Sequence, residues 1–230
     1  MCWSPTADLI AGSAVTALGL VTLSSTRRAR DLPLAALPVL LGVHQLIESL
    51  VWRSADGDIG HSIGHLATVL WAVIAYPLLA GFVPLAVLAA TGRSARTRVL
   101  PFVAIGLATC AMLSYALASG PITADPVGHT MRYGVHVPLT TLAVAGYLVA
   151  TIGALLASDQ HEIRILGIVI WAGALACYTL WQAAFVSTWC ALAAVTSAIV
   201  LHWVRRPVDA VDSELSPATR RSAPAGPRPR

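Results

Sequence analysis

The residue whose chemistry stands out most in this sequence is Glu48, an acid inside a long apolar run. A helix would place His44 and Trp52 on the same face as Glu48, at four-residue spacing, with Gln45 beside them. An ionised carboxylate in a bilayer costs on the order of 2.5 kcal/mol or more, so such acids usually face a cavity and have a partner. We therefore predict a role for Glu48 in metal binding, acid–base catalysis or proton transport. The structural alternative is a protonated acid that joins helices through a hydrogen bond to His44 or Gln45.

A second candidate group is the pair His61 and His65, which are also four residues apart and would share a helix face. Such a pair could bind a divalent metal or a haem. Because a catalytic zinc site needs at least three protein ligands, Glu48, His44 or a cysteine would have to complete the set. The structural alternative is a solvated helix start at the membrane surface.

Three further residues belong to the same candidate site. Cys2 and Cys190 are predicted at a similar depth on the oxidising side of the membrane, where they could form a disulfide, supply thiolate ligands to a metal, or remain unlinked. Tyr178, four residues before Gln182, adds a hydroxyl group to this end of the chain. The predicted catalytic set is Glu48, His44, Gln45 and Tyr178, and the predicted metal set is His65, His61, Glu48, Cys2 and Cys190.

The composition determines what kind of elements must position these residues. Of the 230 residues, 57% are hydrophobic and only 11% are charged, and the mean hydropathy is +0.73. Soluble domains carry about 25% charged residues. A water-soluble globule, a disordered chain and a nucleic-acid-binding protein are therefore excluded. Lysine is absent, which also excludes a retinal pigment.

Apolar runs of about 20 residues, the length needed to cross a bilayer, occur repeatedly along the chain. They are residues 7–25, 32–52, 66–90, 99–118, 138–157, 163–182 and 185–204. This pattern predicts an all-α integral membrane bundle of seven transmembrane helices over residues 1–206, followed by a disordered cytoplasmic tail over residues 207–230. Pro77 and Pro84 are expected to kink the third helix, and His129 and His136 are expected to lie in an irregular loop.

The distribution of arginine predicts the orientation of the bundle in the cell membrane. Nine arginines fall on one side and two on the other, which is a clear positive-inside signal. The nine are Arg27, Arg28, Arg30, Arg93, Arg96, Arg98, Arg164, Arg205 and Arg206, and the two are Arg53 and Arg132. The N-terminus is therefore predicted outside and the C-terminus in the cytoplasm. This orientation puts the candidate catalytic and metal residues in the outer half of the bundle, where they would line an outward-opening pocket.

Three short motifs carry a resemblance to a bacterial family of small uncharacterised membrane proteins. That family opens with Met-Cys-Phe-Ser-Ala-x-Ala-Ser, has Gln-x-x-Glu-Gly-x-x-Trp in the second helix and has a late Ser-x-Trp-Cys motif. The matching residues are Cys2, Ser4, Gln45, Glu48, Trp52, Ser187, Trp189 and Cys190, and the departures are Trp3, Asp8 and Ser49. The family has no established activity, so the resemblance supports the site and leaves the reaction open.

Three kinds of function remain open from the sequence. The first is a membrane enzyme, with or without a divalent metal or haem, that acts on a small molecule by redox, group-transfer or nitrogen chemistry such as diazo formation in a biosynthetic pathway. The second is a proton-coupled transporter or channel, although the predicted polar residues stop halfway through the bilayer. The third is a ligand-binding accessory or sensor subunit. The expected partners are the lipid bilayer and a small-molecule substrate or ligand.

Overall fold

The structure is almost entirely helical. The computed structural model describes residues 4–127, 130–137, 139–180 and 185–206, and for residues 130, 177–180 and 185–191 it describes the backbone alone. In chain order the elements are α1 (Pro5–Ser25), α2 (Leu32–Ala35), α3 (Leu37–Ala55), α4 (His61–Val73), α5 (Leu79–Ala90), α6 (Arg96–Ser119), β1 (Thr123–Val127), β2 (Thr130–Gly134), α7 (Thr140–Ala157), α8 (His161–Leu180) and α9 (Phe185–Val204). A 3₁₀ turn, Ala29–Asp31, precedes α2, and a wide π-type turn, Ile74–Leu78, joins α4 to α5.

Each predicted span coincides with helix in the described residues. Five helical stretches are long and apolar enough to cross a membrane: Pro5–Ser25, Ala29–Ala55, His61–Ala90, Arg96–Ser119 and Thr140–Ala157. Large apolar side chains such as Ile10, Leu66 and Leu142 are exposed on their outer faces, as expected for contact with lipid. The predicted tail lies outside the described residues.

Helix α1 begins where the sequence supplies a helix cap. The Ser4 side chain accepts a hydrogen bond from the backbone N–H of Ala7 at 3.2 Å, and Pro5 occupies the first helical position. Both features are favoured at helix starts, because a serine oxygen satisfies an exposed N–H and proline has no N–H to satisfy. The cap therefore fixes where α1 enters the bundle, with Asp8 buried in its first turn.

Helices α1 and α3 approach each other so closely that small residues are required between them. A Cβ atom added at Gly42 would lie 2.5 Å from the backbone nitrogen of Thr16, and one added at Gly12 would lie 2.9 Å from the backbone nitrogen of Leu46. In a membrane, where lipid tails are as apolar as leucine, such close backbone contact is a main source of helix association. This contact sets the position of α3, which carries Glu48.

The main apolar cluster of the described residues lies toward the end of the bundle that holds the connections 26–31, 91–95 and 158–160, the first two of which carry arginines. We call this the arginine-rich end, and the opposite end, with β1 and β2, the hairpin end. Leucine, isoleucine, valine, alanine and tryptophan side chains from seven helices form the cluster, among them Leu34, Val87, Val99, Leu155, Ile163, Leu166, Val200 and Trp203. The core at this end is therefore largely apolar, and the candidate chemical groups of α3 lie toward the other end.

A β-hairpin forms part of the connection between α6 and α7. Strands β1 and β2 pair antiparallel, with Thr123 opposite Gly134 and Val127 opposite Thr130. His136 is exposed in the loop after β2, as predicted, and His129 lies outside the described residues. The two strands themselves were not predicted from the sequence, because Ala124, Asp125 and Pro126 of β1 are residue types that are rare in strands.

The arginine-rich end is closed by Gln160, whose side chain bridges two helices. Its Nε2 donates to the Ala90 carbonyl at 2.6 Å, and its Oε1 accepts from the Trp203 indole N–H. Nearby, the backbone N–H of Gly92 donates to Asp159 at 3.4 Å. These bonds tie the last turn of α5 to the start of α8 and the end of α9.

We expect Gln160→Leu to lower the free energy of unfolding by about 1–3 kcal/mol, because it leaves a carbonyl and an indole N–H without partners. Thermal unfolding in detergent measures the effect. The control is His161→Leu, which changes an exposed neighbour and should leave stability nearly unchanged. Equal unfolding midpoints for the two variants would contradict the bridging role.

Candidate functional site

The hairpin places Tyr133 of β2 over the ends of α3 and α4 that face it. Its hydroxyl donates to Oε1 of Glu48 at 3.4 Å. Its ring stacks on Trp71 of α4, with ring centroids 3.5 Å apart and planes within 3°. A residue more than 80 positions away in sequence therefore meets the buried acid directly.

Trp71 is the centre of an aromatic cluster that surrounds His44. The His44 and Trp71 ring centroids are 4.8 Å apart, with the planes tilted by 30°. Tyr76 meets Trp71 edge to face at 6.2 Å. In a regular α-helix, residues five apart point about 140° away from each other. The π-type turn at Ile74–Leu78, which contains Pro77, adds a residue to the turn and brings Trp71 and Tyr76 onto one side.

The predicted polar face of α3 is turned into the bundle. The exposed fractions of His44, Gln45 and Glu48 are 7%, 4% and 7%, and Trp52 is buried as well. The four-residue spacing therefore gave the shared face correctly. Among the described residues, these side chains are buried, and Tyr133 of the hairpin contacts Glu48.

Several polar atoms in this region have unused hydrogen-bonding capacity. Nε2 of His44, Oε1 of Gln45 and the indole nitrogens of Trp52 and Trp71 are buried and have no hydrogen-bond partner among the described residues. Buried polar groups in proteins almost always have a partner. The group contains both donors and an acceptor, which suits a small polar molecule with both kinds of group.

The two histidines predicted as metal ligands lie away from this cluster. His61 and His65 share a face of α4 as expected, with ring centroids 6.5 Å apart, but both side chains are exposed. In the part of the chain that the structure describes, no three histidine, cysteine, aspartate or glutamate side chains come together. The structure therefore does not support a metal site made from His61, His65 and Glu48. The four-residue spacing correctly predicts that His61 and His65 share a helix face, but it does not show whether that face points into the bundle.

The remaining predicted residues fall where the structure describes no side chain. Cys2 precedes the first described residue, and for Tyr178 and Cys190 only the backbone of α8 and α9 is described. The predicted disulfide or thiolate pair of Cys2 and Cys190 stays a prediction.

Sequence reasoning missed Tyr133, Trp71 and Tyr76. The sequence gave little signal for Tyr133, because β1 contains Ala124, Asp125 and Pro126, residue types that are rare in strands. Trp71 and Tyr76 had no signal, because aromatic residues are common in any membrane helix. Only the turn at Ile74–Leu78, which pattern alone does not predict, makes them neighbours.

Together these residues form a set suited to proton transfer. Glu48 can take up or release a proton, the Tyr133 hydroxyl can donate a hydrogen bond to it, and His44 lies one turn away on the same helix face. The Trp71 and Tyr76 rings lie beside this set, and electrostatic interactions are stronger in an apolar environment than in water.

Comparison with known proteins finds a family model that matches most of the chain. The model, described as "Family of unknown function (DUF6629)", matches residues 1–214. No curated protein and no solved structure matches the chain.

Proposed function

This chain belongs to a family of unknown function (DUF6629), and we propose from its site that it is an integral membrane enzyme that transfers protons to or from a small polar molecule. The supporting observation is the buried polar set beneath the hairpin. Glu48 carries the exchangeable proton, and the neighbouring His44, Gln45, Trp52 and Trp71 have hydrogen-bonding atoms to spare in the described residues.

Each residue has a distinct part in this proposal. Glu48 acts as the general acid or base, and Tyr133 holds its carboxyl group by the hydrogen bond to Oε1. His44 and Gln45 bind the polar groups of the substrate, and Trp71 forms the wall on which a flat substrate would stack. Proton transfer of this kind is a step in both group-transfer and nitrogen chemistry, so both reaction classes remain compatible with the site.

The proposal keeps the predicted topology of seven spans with the N-terminus outside. In that orientation the hairpin end faces outward, and the substrate enters from the outer side when the hairpin lifts. Tyr178, Cys2 and Cys190 are predicted at the same end and would complete the site from α8, α9 and the N-terminal segment. A divalent metal or haem there would need ligands from beyond the described side chains.

The apolar cluster at the arginine-rich end favours an enzyme over a proton-coupled transporter. A transport path would have to continue from Glu48 to the opposite end of the bundle. Instead, buried leucine, valine, isoleucine and tryptophan side chains fill that half of the described structure. A sensor subunit would use the same pocket without converting its ligand, so the test below measures conversion as well as binding.

The test compares small-molecule conversion by the purified protein in liposomes with conversion by Tyr133→Phe. An extract of polar metabolites is added, and mass spectrometry follows which compound disappears and which appears. We expect Tyr133→Phe to slow that conversion roughly a hundredfold, because Glu48 loses the group that positions it. The matched control is Tyr115→Phe, whose side chain on α6 is 69% exposed and should not affect the rate.

Two outcomes would contradict the enzyme. A compound that binds, with Tyr133→Phe weakening its binding, but is never converted indicates a sensor. Movement of a compound or protons across the bilayer without chemical change, blocked by Tyr133→Phe, indicates a transporter.

A further inference from the structure

A polar cleft lies at the arginine-rich end, far along the bundle from Glu48. Three separate segments line it: the connection from α1 to α2, the start of α8 and the end of α9. Its chief polar residues are Arg27, Arg28, Arg30, Gln160, Trp203 and Arg206.

The wall of the cleft is held in place by defined contacts. Glu162, which is buried, forms an ion pair with Arg206. Gln160 accepts the hydrogen bond of the Trp203 indole and donates to α5, so this side of the cleft belongs to the packed part of the bundle. These contacts distinguish the cleft from a loose group of loop arginines.

The charges of the cleft are unbalanced toward positive. Four arginine side chains line the cleft. The carboxylates there are Asp31, whose Oδ1 lies 3.7 Å from Nε of Arg30, and the nearby Glu162. Four positive and two negative groups give a formal charge of +2. The positive-inside rule explains arginines on this side but not their convergence on one cleft. Arg93, just before α6, and Arg96 and Arg98, in its first turn, obey the same rule, and all three are exposed outside the cleft.

We propose that this cleft binds a phosphate group, carried either by the headgroup of an anionic phospholipid or by a soluble phosphate ester. Guanidinium groups pair with phosphate oxygens through two parallel hydrogen bonds, which lysine cannot do, and this chain uses arginine alone. In the predicted orientation the cleft faces the cytoplasmic leaflet, where anionic lipids concentrate. The site is independent of the enzyme proposed above.

The test measures lipid binding by the full chain with native mass spectrometry in detergent. Phosphatidylglycerol and phosphatidylcholine are offered in equal amounts, and the ratio of the two bound lipids is recorded. The test variant is Arg27→Gln with Arg30→Gln, and the control is Arg93→Gln with Arg98→Gln, which removes the same charge from the same end outside the cleft. We expect the test variant to lose about tenfold of its preference for phosphatidylglycerol and the control to keep it.

A second arm distinguishes the two sources of phosphate. Inorganic phosphate and glycerol 3-phosphate are added without lipid, and the unfolding midpoint is measured. A rise in the midpoint of the original chain and the control, absent in the test variant, assigns the cleft to soluble phosphate; no rise together with lipid preference assigns it to the headgroup. An equal loss of preference in both double variants, or no preference and no rise at all, would overturn the proposal, since it would show only diffuse surface charge.

Discussion

Glu48→Gln is expected to lower the rate of the proposed conversion by a factor of roughly 10²–10⁴, the usual contribution of a general acid or base. Glutamine keeps the size of the side chain, and its oxygen can still accept the hydrogen bond from Tyr133. It cannot take up or release a proton. The chemistry should therefore be lost while the folded structure and the binding of the substrate are kept, so the rate falls and the Michaelis constant changes little.

The control for this variant is Asp56→Asn, which neutralises an exposed acid just after α3. The rate of each protein is measured between pH 5 and 9 on the compound found in the Tyr133 experiment, and the unfolding midpoint is measured alongside. Glu48→Gln should flatten the pH dependence as well as lower the rate. A variant that unfolds at the original temperature and converts substrate at the original rate would remove Glu48 from the proposed chemistry.

We expect Gly42→Ala to lower the stability of the bundle more than a methyl group added at any other position of α3. The new Cβ would lie 2.3 Å from Oγ1 and 2.5 Å from the backbone nitrogen of Thr16. A hydroxyl group could turn away, but the α1 backbone could not, so the two helices must separate. Overpacking of this kind costs about 1–3 kcal/mol. Thermal unfolding in detergent measures it.

The matched substitution is Gly60→Ala, at a glycine where an added Cβ atom would meet nothing within 4 Å. Both variants add one methyl group and remove the same backbone freedom. If Gly42→Ala unfolds at the same temperature as Gly60→Ala, close contact between α1 and α3 does not stabilise the bundle.

Much of the fold could be predicted from the sequence because crossing a bilayer imposes a simple requirement. A long run of apolar residues without interruption can satisfy its backbone hydrogen bonds in lipid only as a helix. The stretches around Val15, Val87 and Ala150 were recognised on this basis alone. Pro77, at which a kink is predicted, lies in the π-type turn between α4 and α5. The spacing of His44 and Glu48 also predicted which face of α3 is buried, because residues four apart lie on the same face of a helix.

The rest of the site depends on contacts that no local pattern contains. Tyr133 reaches Glu48 only because the hairpin folds back over α3 and α4, and this depends on tertiary packing. Trp71 meets Tyr76 only because one turn of the helix is wider than usual. The depth and spacing of His65 predict that it belongs to the site, but the packing of α4 decides which of its faces points into the bundle. Gly64, Ala67 and Thr68 lie on the buried face of α4, and His65 is exposed.

Because the main apolar cluster lies toward one end of the bundle, the two ends should differ in how readily they open. Segments with few buried apolar contacts open locally at a lower free energy than densely packed ones. Here the densely packed half anchors seven helices around Leu34, Leu155 and Trp203, whereas the other half carries a two-stranded hairpin. Subglobal opening should therefore begin above Glu48 and stop at the packed half. The proposed enzyme could then admit and release its substrate at the hairpin end while the opposite end stays rigid.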